Sequence, residues 1–177
     1  MSAAATSKIA AFAAQNQWDD IPAHVRHEAK RSLLNYFATA IAGSGEAAVA
    51  TSLAVLAPFA GAADCRIIGR AERVDMPLAA YLNAISANVF DYDDTHQETV
   101  IHPTAPIAPA LFAHAERQRC TGASLLRAFV LGGEIECRIG NAVSPSHYAR
   151  GWHITSTCGV FGAAAGIGVL LGLSQEQ

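Results

Sequence analysis

A chain of 177 residues with 51% apolar residues, 15% charged residues and a formal charge of −3 can build one well-packed domain, and it is not a disordered chain. Two lysines, Lys8 and Lys30, and ten scattered arginines give no basic face, which argues against nucleic acid as a partner. Globular domains usually carry about 25% charged residues, so this composition points to burial against a partner subunit or further sequence of the same protein.

The N-terminal segment lacks the basic start and long apolar run of a secretory signal. Residues 3–15 are predicted as a short amphipathic helix. Asp19 or Asp20 is expected to cap the next helix, with Pro22 in its first turn, where a missing N–H costs nothing. Val25, Ala29, Leu33, Leu34, Phe37 and Ile41 recur at three- and four-residue steps and carry that helix to Gly43 and Gly45. Residues 46–59 form another apolar helix. Cys65-Arg66-Ile67-Ile68-Gly69, set between Gly61 and Gly69, is the single short extended stretch, a strand or hairpin arm. Helices follow over 76–90, 104–118, 122–144 and 154–172, so the fold class is all-α, a helical bundle with at most one short strand or hairpin near 65–69. Ser174 with Glu176 behind it has the pattern of a helix start, which implies that the chain is a truncated piece.

Cys65, Cys120, Cys137 and Cys158 are far apart with no CxxC pair, as expected of reduced, mostly buried thiols in a cytoplasmic protein. Residues 156–173 carry no charge over 18 positions, long enough for a marginal membrane span. Half of those positions are Gly, Ala, Ser or Thr, and no Lys or Arg follows as an anchor, so a buried helix of a soluble bundle is preferred.

Two segments concentrate chemistry. Asp91-Tyr92-Asp93-Asp94-Thr95-His96, followed by His102-Pro103, is a polar loop between two apolar helices. Such a loop is a solvated surface by default and a functional loop by position. Burial and like-charge neighbours there would raise a carboxyl pKa, the usual device for acid–base work. A calcium-loop pattern begins with Asp91, Asp93 and Thr95 but fails at His96 and His102, where Gly and Glu are needed. The second segment, Arg150-Gly151-Trp152-His153-Ile154-Thr155-Ser156, sets His153 near a helix start that Thr155 or Ser156 could cap. A helix N-terminus is also suited to a carboxylate. Glu134 and Arg138 are spaced for an i,i+4 pair, so Glu134 and Glu136 are read as structural. His24, His27 and His114 hold ordinary helix positions, and His147 could help to order its loop.

In this order and spacing, DYDDTH…HP, TGASLLRAFVLGGEIECRIG and ARGWHITSTCGVFGAAAGIGVLLGL resemble the MmgE/PrpD family of 2-methylcitrate dehydratases, cis-aconitate decarboxylases and iminodisuccinate epimerases. The similarity runs from the Trp18–Gly43 segment to the end of the chain. The resemblance implies a helical domain whose C-terminal part and companion small α+β domain are absent from residues 1–177. It also implies a homodimer without metal or organic cofactor, and a small polycarboxylate substrate. Its site residues would be Asp91, Thr95, His102 and His153, with His102 and His153 as acid–base groups, Asp91 orienting one of them and Thr95 binding a substrate carboxylate. Family members add lysines from later sequence, whereas this chain has none after Lys30, so the site here would be partial. The expected function is therefore part of a lyase or isomerase that moves a proton next to a carboxylate, with dehydration of a 2-methylcitrate type ranked first. Two alternatives stay open: a non-catalytic helical dimerisation module, and a metal-dependent hydrolase using the Asp/His loop.

Overall fold

Capping side chains and apolar periodicity divide the chain into short, closely packed helices. The computed structural model describes residues 3–177. In chain order they form α1 (Ala3–Gln15), α2 (Ala23–Gly43), α3 (Ala47–Leu56), a two-residue hairpin of β1 (Cys65–Arg66) and β2 (Arg73–Val74), α4 (Met76–Asn88), α5 (Thr104–Arg117), α6 (Gly122–Val143), α7 (Ser146–Ala149) and α8 (Ile154–Leu171). The expected all-α bundle is the observed fold, and the extended stretch at Cys65 is one arm of the hairpin, with Cys65 opposite Val74 and Arg66 opposite Arg73.

Some boundaries differ from expectation, each for a local reason. Asp19 and Asp20 do not cap α2. They belong to a 3-10 turn, where the Asp20 carboxylate accepts from the Gln17 N–H at 2.7 Å, and Pro22 itself takes the cap position of α2. The helix of 46–59 stops at Leu56, and Pro58 turns the rest into a 3-10 segment. Asp75 caps α4 by accepting from Leu78 N–H at 3.0 Å, and it also accepts from Gly61 N–H at 2.6 Å, so these two amides hold its carboxyl below the usual range. Gly172 ends α8 in the left-handed region at φ 67°. Ser174 starts no helix among the described residues, and its N–H donates to Gln177 Oε1.

The main core joins Leu33 and Tyr36 of α2, Ile107 and Leu111 of α5, Phe129 and Leu131 of α6, and Val169 of α8. A second core under the hairpin gathers Val49, Ile67, Leu78 and Leu82. The third is small and sits beneath the polar loop: Ile101, Ile154 and Cys158, with Ile139 and Val143 against them. Helix α8 is packed along one stripe only, through Ile154, Cys158, Gly159, Gly162, Gly166 and Val169, while Val160 and Phe161 face outward. The four cysteines are free; Cys65 and Cys158 are buried as expected, but Cys120 is exposed and Cys137 half-buried.

Candidate active site

The polar loop 89–103 is folded by its own side chains. The His96 N–H donates to Ile101 O at 2.7 Å and its Nδ1 meets Thr99 Oγ1 at 2.8 Å, closing a turn that returns the chain towards α5. Asp91 has φ 58°, a left-handed conformation that Asp tolerates better than most residues. Asp94 caps α5, accepting from Thr104 N–H at 3.3 Å and Thr104 Oγ1 at 2.5 Å.

His102 is the centre of the loop. Its Nε2 lies 3.3 Å from Asp91 Oδ1, and its Nδ1 lies 3.4 Å from Asp93 Oδ1 and 3.4 Å from Thr95 Oγ1. The two carboxylates differ in setting: the Asp91 side chain is 81% exposed and the Asp93 side chain 1%. Burial pushes the Asp93 carboxyl above its ordinary range, while the Asn88 amide, donating at 3.1 and 3.2 Å, and His102 pull it back. A buried carboxylate on one imidazole nitrogen fixes ring orientation and favours the proton on that nitrogen, which leaves Nε2, facing the exposed Asp91, as the nitrogen for acid–base work.

Asp91, Thr95 and His102 are thus brought together. His153 reaches the same region by another route. It is the cap residue of α8, and its exposed ring meets Ser156 Oγ at 3.5 Å rather than the loop. The residues beside it tie the segments together: Ile154 packs in the same cluster as Ile101, and Thr155 Oγ1 accepts from the His102 N–H at 3.0 Å. Thr155 therefore joins loop to helix and does not cap α8 as expected, and Ser156 donates to His153 O instead of capping.

Sequence reasoning missed Asp93 and Asp94 as distinct actors, because three carboxylates within four positions look alike until one is buried. It also missed Glu136. The Glu134–Arg138 pair is present at 2.5 Å as expected, but Glu136 is fully buried and neither carboxyl oxygen has a partner. Burial, reinforced by Asp94, pushes its carboxyl up to about 9. The available signal was spacing, since Glu136 falls four residues after the buried Gly132 and on the inner stripe of α6.

Asp91, Asp93 and His102 offer one donor atom each within 4.8 Å of one another, so a cation could be held here geometrically. A groove of about 420 Å³ between α1 and the end of α8, lined by Ile9, Ala13, Arg127, Val169 and Leu173, lies at the opposite end of α8 from His153.

Comparison with known proteins covers nearly the whole chain. The MmgE/PrpD N-terminal domain matches residues 7–177. The cis-aconitate decarboxylase of Aspergillus terreus is 30% identical over 182 residues, covering 97% of this chain and 36% of the relative. A cis-aconitate decarboxylase-like protein of Aspergillus oryzae is 31% identical, covering 97% of this chain and 37% of the relative. The human cis-aconitate decarboxylase is 33% identical over 111 residues, 59% of this chain and 23% of its own length. The chain therefore spans a little over a third of the length of the two fungal relatives.

Proposed function

The chain belongs to the MmgE/PrpD family, and we propose that it supplies part of the active site of a lyase acting on a small di- or tricarboxylic acid. One observation carries the reading. The loop with Asp91, Thr95 and His102 and the His153 turn, about fifty residues further on, are joined by the buried cluster that Ile101 and Ile154 share and by the His102–Thr155 hydrogen bond. In this reading His102, held by Asp93 and facing Asp91, moves a proton at a carbon next to a substrate carboxylate. His153 is the second acid–base group, and Thr95 hydrogen-bonds a substrate carboxylate. The remaining positive groups over the developing charge would come from sequence beyond these residues.

The Aspergillus terreus and human relatives are cis-aconitate decarboxylases, and their resemblance favours decarboxylation over the dehydration ranked first from sequence. In that step the bond to the departing carboxylate breaks, its electron pair passes to the adjacent carbon framework, and an acid returns a proton to carbon. The proposal includes a homodimer, a cytoplasmic setting and no cofactor. Turnover of cis-aconitate against a panel of 2-methylcitrate and other di- and tricarboxylates, measured on the protein as its gene encodes it, tests the reading. His102→Ala and His153→Ala should each lower kcat by at least about 10²-fold, a typical acid–base contribution. Losses of only a few-fold would remove that histidine from the mechanism.

The three donors of Asp91, Asp93 and His102 favour one second reading, a divalent-cation hydrolase. Prolonged treatment with a chelator decides between the two: unchanged activity removes the metal reading, and loss restored by a defined ion establishes it.

A further inference from the structure

His153 is exposed and its ring makes one weak hydrogen bond, to Ser156 Oγ at 3.5 Å. A catalytic imidazole in that state needs its backbone held from outside, because an error of about 1 Å in placement can cost about 10²-fold in rate. The contacts on either side of it lead to one residue, His147 of α7. On the preceding side, the rings of His147 and Trp152 are stacked at 6.1 Å and 22°. His147 O also accepts from Arg150 N–H at 3.2 Å and Trp152 N–H at 3.4 Å, which curls the 150–152 turn around it. On the following side, His147 Nε2 meets Thr157 Oγ1 at 2.7 Å.

Thr157 completes the connection. Its hydroxyl has one proton, and the carbonyl of His153 at 3.2 Å and that of Ile154 at 3.3 Å are within reach to accept it. With the proton given to either carbonyl, Thr157 Oγ1 accepts from His147 Nε2–H, and the chain of bonds runs from α7 to the cap of α8. The Thr157 N–H donates to His153 O as well, at 3.2 Å. A helix cap with no side-chain cap of its own, as here, depends on such outside anchors.

We propose that His147 is a positioning residue that sets the backbone and ring direction of His153, through Trp152 on one side and Thr157 on the other. The inference rests on the lyase reading for its kinetic consequence. Its structural content, that His147 orders the Trp152–His153 turn, stands without that reading. Gln is the informative replacement, because its side-chain amide can still donate to Thr157.

Two measurements test it together. In the complete protein, His147→Ala should lower kcat about 10- to 100-fold with KM changed less than about threefold, and His147→Gln should recover most of that loss. A general loss of fold would instead move KM and the melting temperature with kcat and leave both variants equally impaired, which would overturn the proposal. In the 177-residue chain, amide signals of Trp152 and His153 should be single and sharp in wild type and His147→Gln, and broadened or doubled in His147→Ala. Unchanged signals in His147→Ala would overturn the proposal whatever the kinetics. If wild type turns over no polycarboxylate, the lyase reading fails separately and the amide signals alone decide for His147.

Discussion

Asp93 and Asp91 differ little in sequence and greatly in place, and the difference makes a test. Asp93 has no solvent to share its charge and depends on Asn88 and His102. Asp93→Asn keeps the shape but offers His102 Nδ1 an amide that can present the wrong atom. In the complete protein we expect kcat to fall about 10²-fold with little change in KM, measured by steady-state kinetics. Asp91 is exposed and on the other nitrogen, so under the proposed lyase reading its replacement should affect KM as well. Glu136 gives a second residue-scale prediction. Its folded carboxyl titrates at about 9, far above the ordinary 4.5. Between those values the unfolded chain has lost the proton and the folded chain keeps it, so stability falls as pH rises across that window. The slope is at most about 1.4 kcal/mol per pH unit. Glu136→Gln should flatten it, as read from denaturant unfolding between pH 5 and 9. A wild-type profile identical to that of the variant would mean that Glu136 is ionised or open to water. Little of this was legible in the sequence: spacing alone marked Glu136 for the inner stripe of α6, and adjacent acids such as Asp93 and Asp94 carry no mark of which one is inside.

At the scale of elements the sequence was far more informative. Periodicity located the long helices, but on α2 it mixed two faces: Ala29 and Leu33 are in the core as expected, whereas Leu34 and Ile41 face outward and Tyr36 and Ala40 complete the buried stripe. Ends were less legible. Asp19 and Asp20 looked like caps but serve a separate turn, and Thr155 looked like a cap but bonds His102 across the molecule. A cap is a local pattern only until a tertiary partner competes for the same oxygen. The small residues of α8 allow close approach to α6. A Cβ on Gly132 would lie 2.6 Å from Gly162 O, and one on Gly162 would lie 2.9 Å from Gly132 O. Gly162→Ala should therefore cost about 1–3 kcal/mol, because two backbones would have to separate. Gly133, next in sequence to Gly132, has nothing within 4 Å of an added Cβ. Gly133→Ala should then be neutral or stabilise by up to about 1 kcal/mol through helix propensity. Thermal unfolding of both variants checks the crossing, and equal effects would show that α6 and α8 do not meet as closely as described.

At the scale of the whole molecule, the high apolar content foretold surface that this chain does not cover by itself. Leu34 on α2 is 72% exposed and Phe59 after α3 is 84% exposed; Ile41 follows Leu34 by seven residues and Val160 and Phe161 mark the outer side of α8. Isolated exposed apolar residues are ordinary, but Leu34 and Ile41 share one helical face. Burying such a side chain stabilises by roughly 1.5–3 kcal/mol, so a few of them on each copy suffice for measurable association. The proposed homodimer therefore has a direct check. Light scattering behind size exclusion should give a mass above the 18.5 kDa of one chain, rising with concentration. Leu34→Glu with Ile41→Glu should return it to one chain if the α2 face is the contact. If Val160→Glu with Phe161→Glu does so instead, the contact is through α8. A wild-type mass of 18.5 kDa at every concentration would remove the homodimer for this chain. It would leave the exposed faces to be covered by other parts of a longer protein, the second of the two surfaces that the composition implied. The two outcomes also bear on the site, because α8 carries His153 at its start and Val160 two turns later. A partner seated on its outer side at Val160 would cover a face about 10 Å along α8 from that histidine.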